Sequence, residues 1–246
     1  MRSLAKLTWV EIKLFTREPL TIVFSLVFPL VVLFVLVQVF GNDPNPDLYR
    51  GFGATDFYVP AYIGLVISSI GLFGLPVVLA GYRERGVLRR FRASSVPVWS
   101  VLGAQVIVGF VIAAVSSLLL AGVAAIAYDL NAPDSPVGVM GAFLLGTLSF
   151  AALGVLLGAL LPTARTAQGA GLVLFFVMML ISGAGPPREL LGTAMQRVGD
   201  ALPLTHVITL LQDPWLGLGW NVNEMLIVTG ILVASVLLTL RFFRWE

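Results

Sequence analysis

The stretch Tyr82–Pro97, YRERGVLRRFRASSVP, decides how the rest of the chain is read. It carries five of the fifteen Lys and Arg residues, Arg83, Arg85, Arg89, Arg90 and Arg92, and it lies between two long apolar runs. A charged side chain at mid-depth in a bilayer costs roughly 3 kcal/mol on insertion scales. Charge this dense belongs in water, and its sign places the stretch on the cytoplasmic side. Between Gly86 and Pro97, the residues Val87, Leu88 and Phe91 recur at helical spacing. That pattern predicts a short amphipathic helix across the mouth of a membrane bundle.

The composition around the stretch agrees. Hydrophobic residues make up 58% of the 246 residues and charged residues 11%, with a mean hydropathy of +0.97. This is a polytopic helical membrane protein, not a soluble domain. The length allows about six spans of ~20 residues, so residues 1–246 are read as a single transmembrane domain. Cysteine is absent, which excludes disulfides, thiolate metal sites and catalytic thiols. The opening MRSLAKLTWVEIKLFTREP has charges spread throughout and no small-residue cleavage site, so no cleaved signal peptide is expected.

Residues 2–18 read as an amphipathic helix along the membrane surface, with Arg2, Lys6, Lys13 and Arg17 on one stripe and Leu4, Leu7, Leu14 and Phe15 opposite. The alternative is a charged flank that only orients the first span. The spans are expected at Leu20–Phe40 (kinked at Pro29), Phe57–Gly81, Val98–Tyr128, Val137–Leu161, Gly169–Ile181 and Met225–Leu240. Gly64, Gly71, Gly74 and Pro76 suggest close packing and a bend in the second, and Gly154-x-x-x-Gly158 offers a small-residue face on the fourth. Pro162–Gln168 reads as a tight loop carrying Arg165. Residues 182–221 read as irregular, with room for short helices at Leu190–Leu202 and Val207–Gln212. With both termini inside, twelve Lys and Arg fall on the inner side and only Arg50, Arg188 and Arg197 outside, which satisfies the positive-inside rule.

Several chemistries are missing from the sequence. The single histidine, His206, has no second ligand at metal spacing, so a structural or gate-lining role is the better reading. No span carries an ionisable residue near its centre, which argues against a proton-coupled pump or an intramembrane hydrolase. Lysine occurs only at Lys6 and Lys13, so no G-x-x-x-x-G-K-[ST] phosphate loop exists. If transport is active, a separate ATPase acting on a cytoplasmic contact is the simplest source of energy. A stand-alone channel is disfavoured because nothing resembles a charged or carbonyl filter. A membrane enzyme or assembly factor with the same six-span layout stays open.

Two segments then carry a resemblance. RERGVLRRFRASSVPVW (Arg83–Trp99) and SGAGPPRELL…ALPLTHVITLL (Ser182–Leu211) resemble type-2 ABC exporter permeases, the second segment that family's daunorubicin-resistance branch. The resemblance covers essentially the whole chain. It implies an all-α fold of six transmembrane helices with an N-terminal interfacial helix, a cytoplasmic coupling helix within 82–97, and re-entrant extracellular helices within 182–221. It implies coupling to an ATPase through Arg83, Glu84, Arg85, Gly86, Val87, Leu88, Arg89, Arg90 and Phe91. Glu84 would pair with a basic group or cap the helix start, Gly86 would allow close approach, and Val87, Leu88 and Phe91 would fill an apolar groove. Arg89, Arg90 and Arg92 would face acidic ATPase residues or lipid headgroups, or set topology alone. Pro186, Pro187, Pro203, Leu204 and His206 would form an extracellular gate, with Ala184-Gly185-Pro186-Pro187 making a smaller, more flexible plug than the bulky aromatics of many relatives.

By the same resemblance the partners are two copies of an ABC ATPase, a second permease and membrane lipid. ATP and Mg are bound by the ATPase, and this chain has no cofactor, no nucleic-acid partner and no catalytic site of its own. The expected substrate is a hydrophobic drug or lipid-like amphiphile, with polysaccharide or glycolipid export as the alternative. The Arg-over-Lys and Ala/Gly/Val bias suggests a GC-rich bacterial source, and the expected location is the bacterial inner membrane with both termini cytoplasmic.

Overall fold

The computed structural model describes residues 22–87, 90 and 98–242. The helix expected over 2–18 lies outside these residues, as do Leu88, Arg89, Phe91 and Arg92. Regular structure among the described residues is helical throughout. A π-helical turn, Val23–Val27, leads into α1 (Phe28–Phe40). Helix α2 (Ala54–Ser69), a second π turn (Ile70–Gly74) and α3 (Leu75–Glu84) run on as one rod. There follow α4 (Val98–Tyr128), α5 (Pro136–Leu160) and α6 (Ala164–Ile181). A 3-10 turn (Arg188–Leu190), α7 (Thr193–Gly199) and α8 (Pro203–Trp215) precede α9 (Val222–Phe242).

Five of these helices are long and apolar enough to cross a membrane, which makes the chain a multi-pass membrane protein. The expected first span is represented by the shorter apolar helix Val23–Val39.

Of the boundaries that differ from the sequence reading, three have a clear local reason. The second span runs on to Glu84, past the expected end at Gly81, and Gly86 stops it. The Gly86 φ of 66° is left-handed, and the Arg85 and Gly86 N–H groups bond back to the Gly81 and Arg83 carbonyls at 3.1 and 3.0 Å. The fifth span begins at Ala164, so Arg165 sits in its first turn instead of in a loop. Thr163 and Thr166 form a reciprocal capping box there that the polar composition concealed. Finally, α8 spans thirteen residues where a shorter helix was expected, because Pro203 occupies the first helical position and is compatible with helix there.

Both π turns have the same cause. Pro29 and Pro76 each stand two residues after a π segment and have no N–H to donate. The Phe28 N–H reaches back five residues to Val23, and the Leu75 N–H to Ile70. In the second span this diverts the ordinary partner of the Gly71 carbonyl, while Pro76 offers none to Leu72. Gly154 of α5 packs on the Gly71 carbonyl and Gly171 of α6 on the Leu72 carbonyl, each so closely that a Cβ would overlap the oxygen. Gly158, one turn along α5, lies against Pro76 and Leu79. The Gly154-x-x-x-Gly158 face is therefore the contact between the fourth span and the widened turn of the second.

The second span is the centre of the bundle. Its most apolar window is 83% buried, against 11% for α9. Phe24 and Phe175 flank Phe73 at ring-centroid distances of 5.1 and 5.2 Å, tying the first helix and α6 to it. On the other side α8 packs against α2, α5 and α9, with Leu204 and Ile208 against Gly64.

Candidate functional site

Two regions at opposite ends of the second span gather the polar residues, separated by the helix length of about 45 Å at 1.5 Å per residue. At the end that carries the basic stretch, Arg83 and Glu84 form the last turn of α3. The Arg83 guanidinium donates to the Ala159 carbonyl at 2.7 Å and to the Leu161 carbonyl. Those oxygens belong to the end of α5, where helix carbonyls lack intrahelical partners and attract a cation. Glu84 Oε2 accepts from the Ala164 N–H, the first residue of α6, at 3.1 Å. A carboxylate at a helix start is favoured by the same dipole logic. Two adjacent residues of the second span thus hold both ends of the turn between the fourth and fifth.

Beyond Gly86, Val87 and Arg90 are helical and the Arg90 N–H donates to the Gly86 carbonyl at 3.3 Å. Arg85 and Arg90 are exposed.

At the other end, the segments before α2, between α4 and α5, and after α6 converge. Asn42 donates to the Tyr128 carbonyl at 3.2 Å, and Asp56 accepts from the side chain of Asn131 at 2.7 Å. Arg50 donates to Asp213 Oδ1 at 2.9 Å, while Asn221 holds Oδ2 at 2.9 Å. That pairing offsets the cost of burying the Asp213 carboxylate, which is 5% exposed.

The turn after α6 is laced to α7: Gln196 donates to the Arg188 and Leu191 carbonyls, and Arg188 pairs with Asp200. Thr205 in turn donates to the Gly199 carbonyl at 2.7 Å, joining α7 to α8. These three pieces form one hydrogen-bonded cap.

With both ends described, the family is decided by one comparison: residues 2–216 match the model of the ABC-2 type transporter. The chain belongs to that family. It is also similar to a Bacillus subtilis (strain 168) protein named "Putative transport permease YvfS", 29% identical over 207 residues that cover 84% of this chain and 82% of the relative. No solved structure matches it. Permeases of this family work with an ATPase partner.

In this ABC-2 type permease the residues expected at the ATPase contact divide. Arg83 and Glu84 are engaged within the chain, as clamps on the span 4–5 turn. Glu84 caps a helix start, but that of α6. Arg85, Gly86, Val87 and Arg90 stand beyond the end of the second span. Gly86 has a backbone reason to be glycine that is independent of any partner. Leu88, Arg89 and Phe91 lie outside the described residues.

The residues expected at the gate form two groups. Pro186 and Pro187 close the turn after α6, where the Tyr58 hydroxyl donates to the Gly185 carbonyl at 3.0 Å and Ala184 is fully buried. That anchoring to the second span was not visible in the Ala-Gly-Pro-Pro sequence, which reads as a loose plug. Pro203 and Leu204 open α8, and Leu204 is fully buried. His206 is satisfied on both ring nitrogens. Its Nε2 faces the Asp200 carbonyl at 2.9 Å, and its Nδ1 lies 2.6 Å from Glu224 Oε2. A carbonyl only accepts, so the contact to Asp200 asks for the hydrogen on Nε2.

Sequence reasoning missed the Arg50–Asp213–Asn221 group and the Tyr58 anchor. The one available signal was opposite charges in segments far apart in the sequence, and spacing alone gives no pairing.

Proposed function

We propose that this permease is the membrane half of an ATP-driven exporter that moves a hydrophobic or amphiphilic substrate across a bacterial cytoplasmic membrane. Two permeases, identical or homologous, pair with two ATPase subunits that bind ATP and Mg. Both termini and the basic stretch lie in the cytoplasm, and six spans cross the membrane. Residues 82–97 form the coupling segment, which docks on the ATPase, and the cap over residues 182–221 closes the exit. Closure of the ATPase dimer pushes the coupling segment and rocks the spans against each other.

The observation that supports this reading most is the Arg83–Glu84 clamp. A push on the segment after Gly86 acts on the end of the second span, and through the two side chains on the fourth and fifth as well. Charge segregation supports the orientation: the basic stretch is at one end, and Asp43, Asp47, Asp56, Asp129, Asp134 and Asp213 are at the other.

The test is Leu88→Asp. Gly86→Trp is a poorer probe, because any side chain there strains a left-handed turn. A carboxylate in an apolar docking groove is expected to abolish stoichiometric co-purification of a P-loop ATPase while the chain stays inserted and monodisperse. If the wild-type chain purifies alone, or L88D retains the ATPase, the basic stretch only sets topology and the reading fails.

A further inference from the structure

A cavity of about 320 Å³ opens under the cap, between the start of the second span, the end of the fifth and α8. It is large enough for about ten water volumes, hence for a head group but not for an acyl chain. In a chain this apolar its wall is unusual, because four charged side chains line it: Arg50, Arg188, Glu189 and Glu224.

Most of that charge is already balanced. Arg50 meets Asp213 through Nη1 alone, Arg188 meets Asp200 through Nη2 alone, and Glu224 lies 2.6 Å from His206 Nδ1. Each guanidinium has five N–H donors, so both keep donors to spare. Glu189 has no ion pair among the described residues. A separate observation comes from Ser182 at the end of α6. It lines the cavity, is 1% exposed, and its hydroxyl has no hydrogen-bond partner. A buried polar group is ordinarily satisfied, and leaving one unpaired costs about 1–3 kcal/mol.

We propose that this cavity binds a zwitterionic head group, its anionic part on the spare donors of Arg50 and Arg188 and its cationic part on Glu189, with the Ser182 hydroxyl completing the site. A purely anionic head would leave Glu189 without a counter-charge, and a purely cationic one would leave the spare guanidinium donors unused. A head with both charges meets a complement on each wall. The assignment of this head to the transported amphiphile rests on the exporter reading above. The cavity would then hold the polar end on the outer side, while the tail stays against the apolar spans.

The test uses the full chain in phosphatidylglycerol nanodiscs, so that no zwitterionic lipid competes. Phosphoethanolamine, inorganic phosphate and ethanolamine are titrated separately by calorimetry. Phosphoethanolamine is expected to bind at least tenfold more tightly than either half. Glu189→Gln and Ser182→Ala are each expected to weaken it at least fivefold with no fall in Tm. Equal binding of a half, no binding of any probe, or unchanged affinity in both variants overturns the proposal. The experiment needs no ATPase, so a chain that binds phosphoethanolamine but purifies without an ATPase defeats the exporter reading and leaves the head-group site standing. The reverse result defeats the site alone.

Discussion

Replacing Gly171 or Gly154 by valine is expected to prevent the bundle from closing, with monodisperse protein lost or Tm lowered by about 5 °C or more. The reason is the backbone of the second span. Its π turn leaves the Gly71 and Leu72 carbonyls turned outward without their ordinary partners, and these two glycines lie directly on them. An overlapping atom at the end of a flexible side chain could swing away, but a carbonyl within a buried helix cannot. Overpacking of this sort costs about 1–3 kcal/mol where the neighbours can yield, and here they yield least. The contact is also reciprocal, since a Cβ on Gly71 would stand 2.6 Å from the Phe150 carbonyl oxygen.

Gly122 and Gly230 supply the contrast. Nothing lies within 4 Å of a Cβ at either position, so alanine there is expected to be neutral or stabilising by about 0.5–1 kcal/mol, as in other helix interiors. Thermal unfolding in one detergent would compare the four variants. Equal effects at the packed and open glycines would refute the clasp.

Those glycines also mark the limit of what the sequence could convey. The run ending at Tyr128 was legible, because a long uncharged stretch between a basic segment and a polar turn has one reading in a bilayer. The Gly154-x-x-x-Gly158 spacing was legible as a contact face, yet its partner was not. The partner is a widened turn set by Pro76, and proline patterns do not say which neighbour will fill the gap they open.

The ends of helices were harder for a related reason. Arg165 looks like a loop residue until Thr163 and Thr166 are seen to cap each other. Arg83 and Glu84 look like part of one basic surface, because sequence groups them with Arg85 and Arg89. Their partners are 76 and 80 positions away, at Ala159 and Ala164. Charge composition identified the segment, and only the fold divided it.

That division has a functional consequence. If Arg83 and Glu84 pass the motion on while the residues beyond Gly86 make the contact, docking and transmission are separable. The double variant Arg83→Ala, Glu84→Gln is expected to retain the ATPase at wild-type stoichiometry, because neither side chain is needed at the contact. It is also expected to lose at least nine-tenths of the ATP-dependent movement at the outer end. The cysteine-free chain makes this measurable. Spin labels on cysteines placed at Val137 and Leu190, both exposed, would report the distance between the start of the fourth span and the cap with and without ATP. In the otherwise unchanged complex the distance distribution should shift on ATP binding, and in the double variant it should not. Thermal stability should fall modestly, because the Glu84 bond lies at an exposed boundary, where water replaces a lost partner, while the Arg83 bonds are part-buried. Loss of the ATPase from the double variant would mean that the clamp residues belong to the docking surface. An unaltered shift would mean that the second span moves the fourth and fifth through its glycine contacts alone.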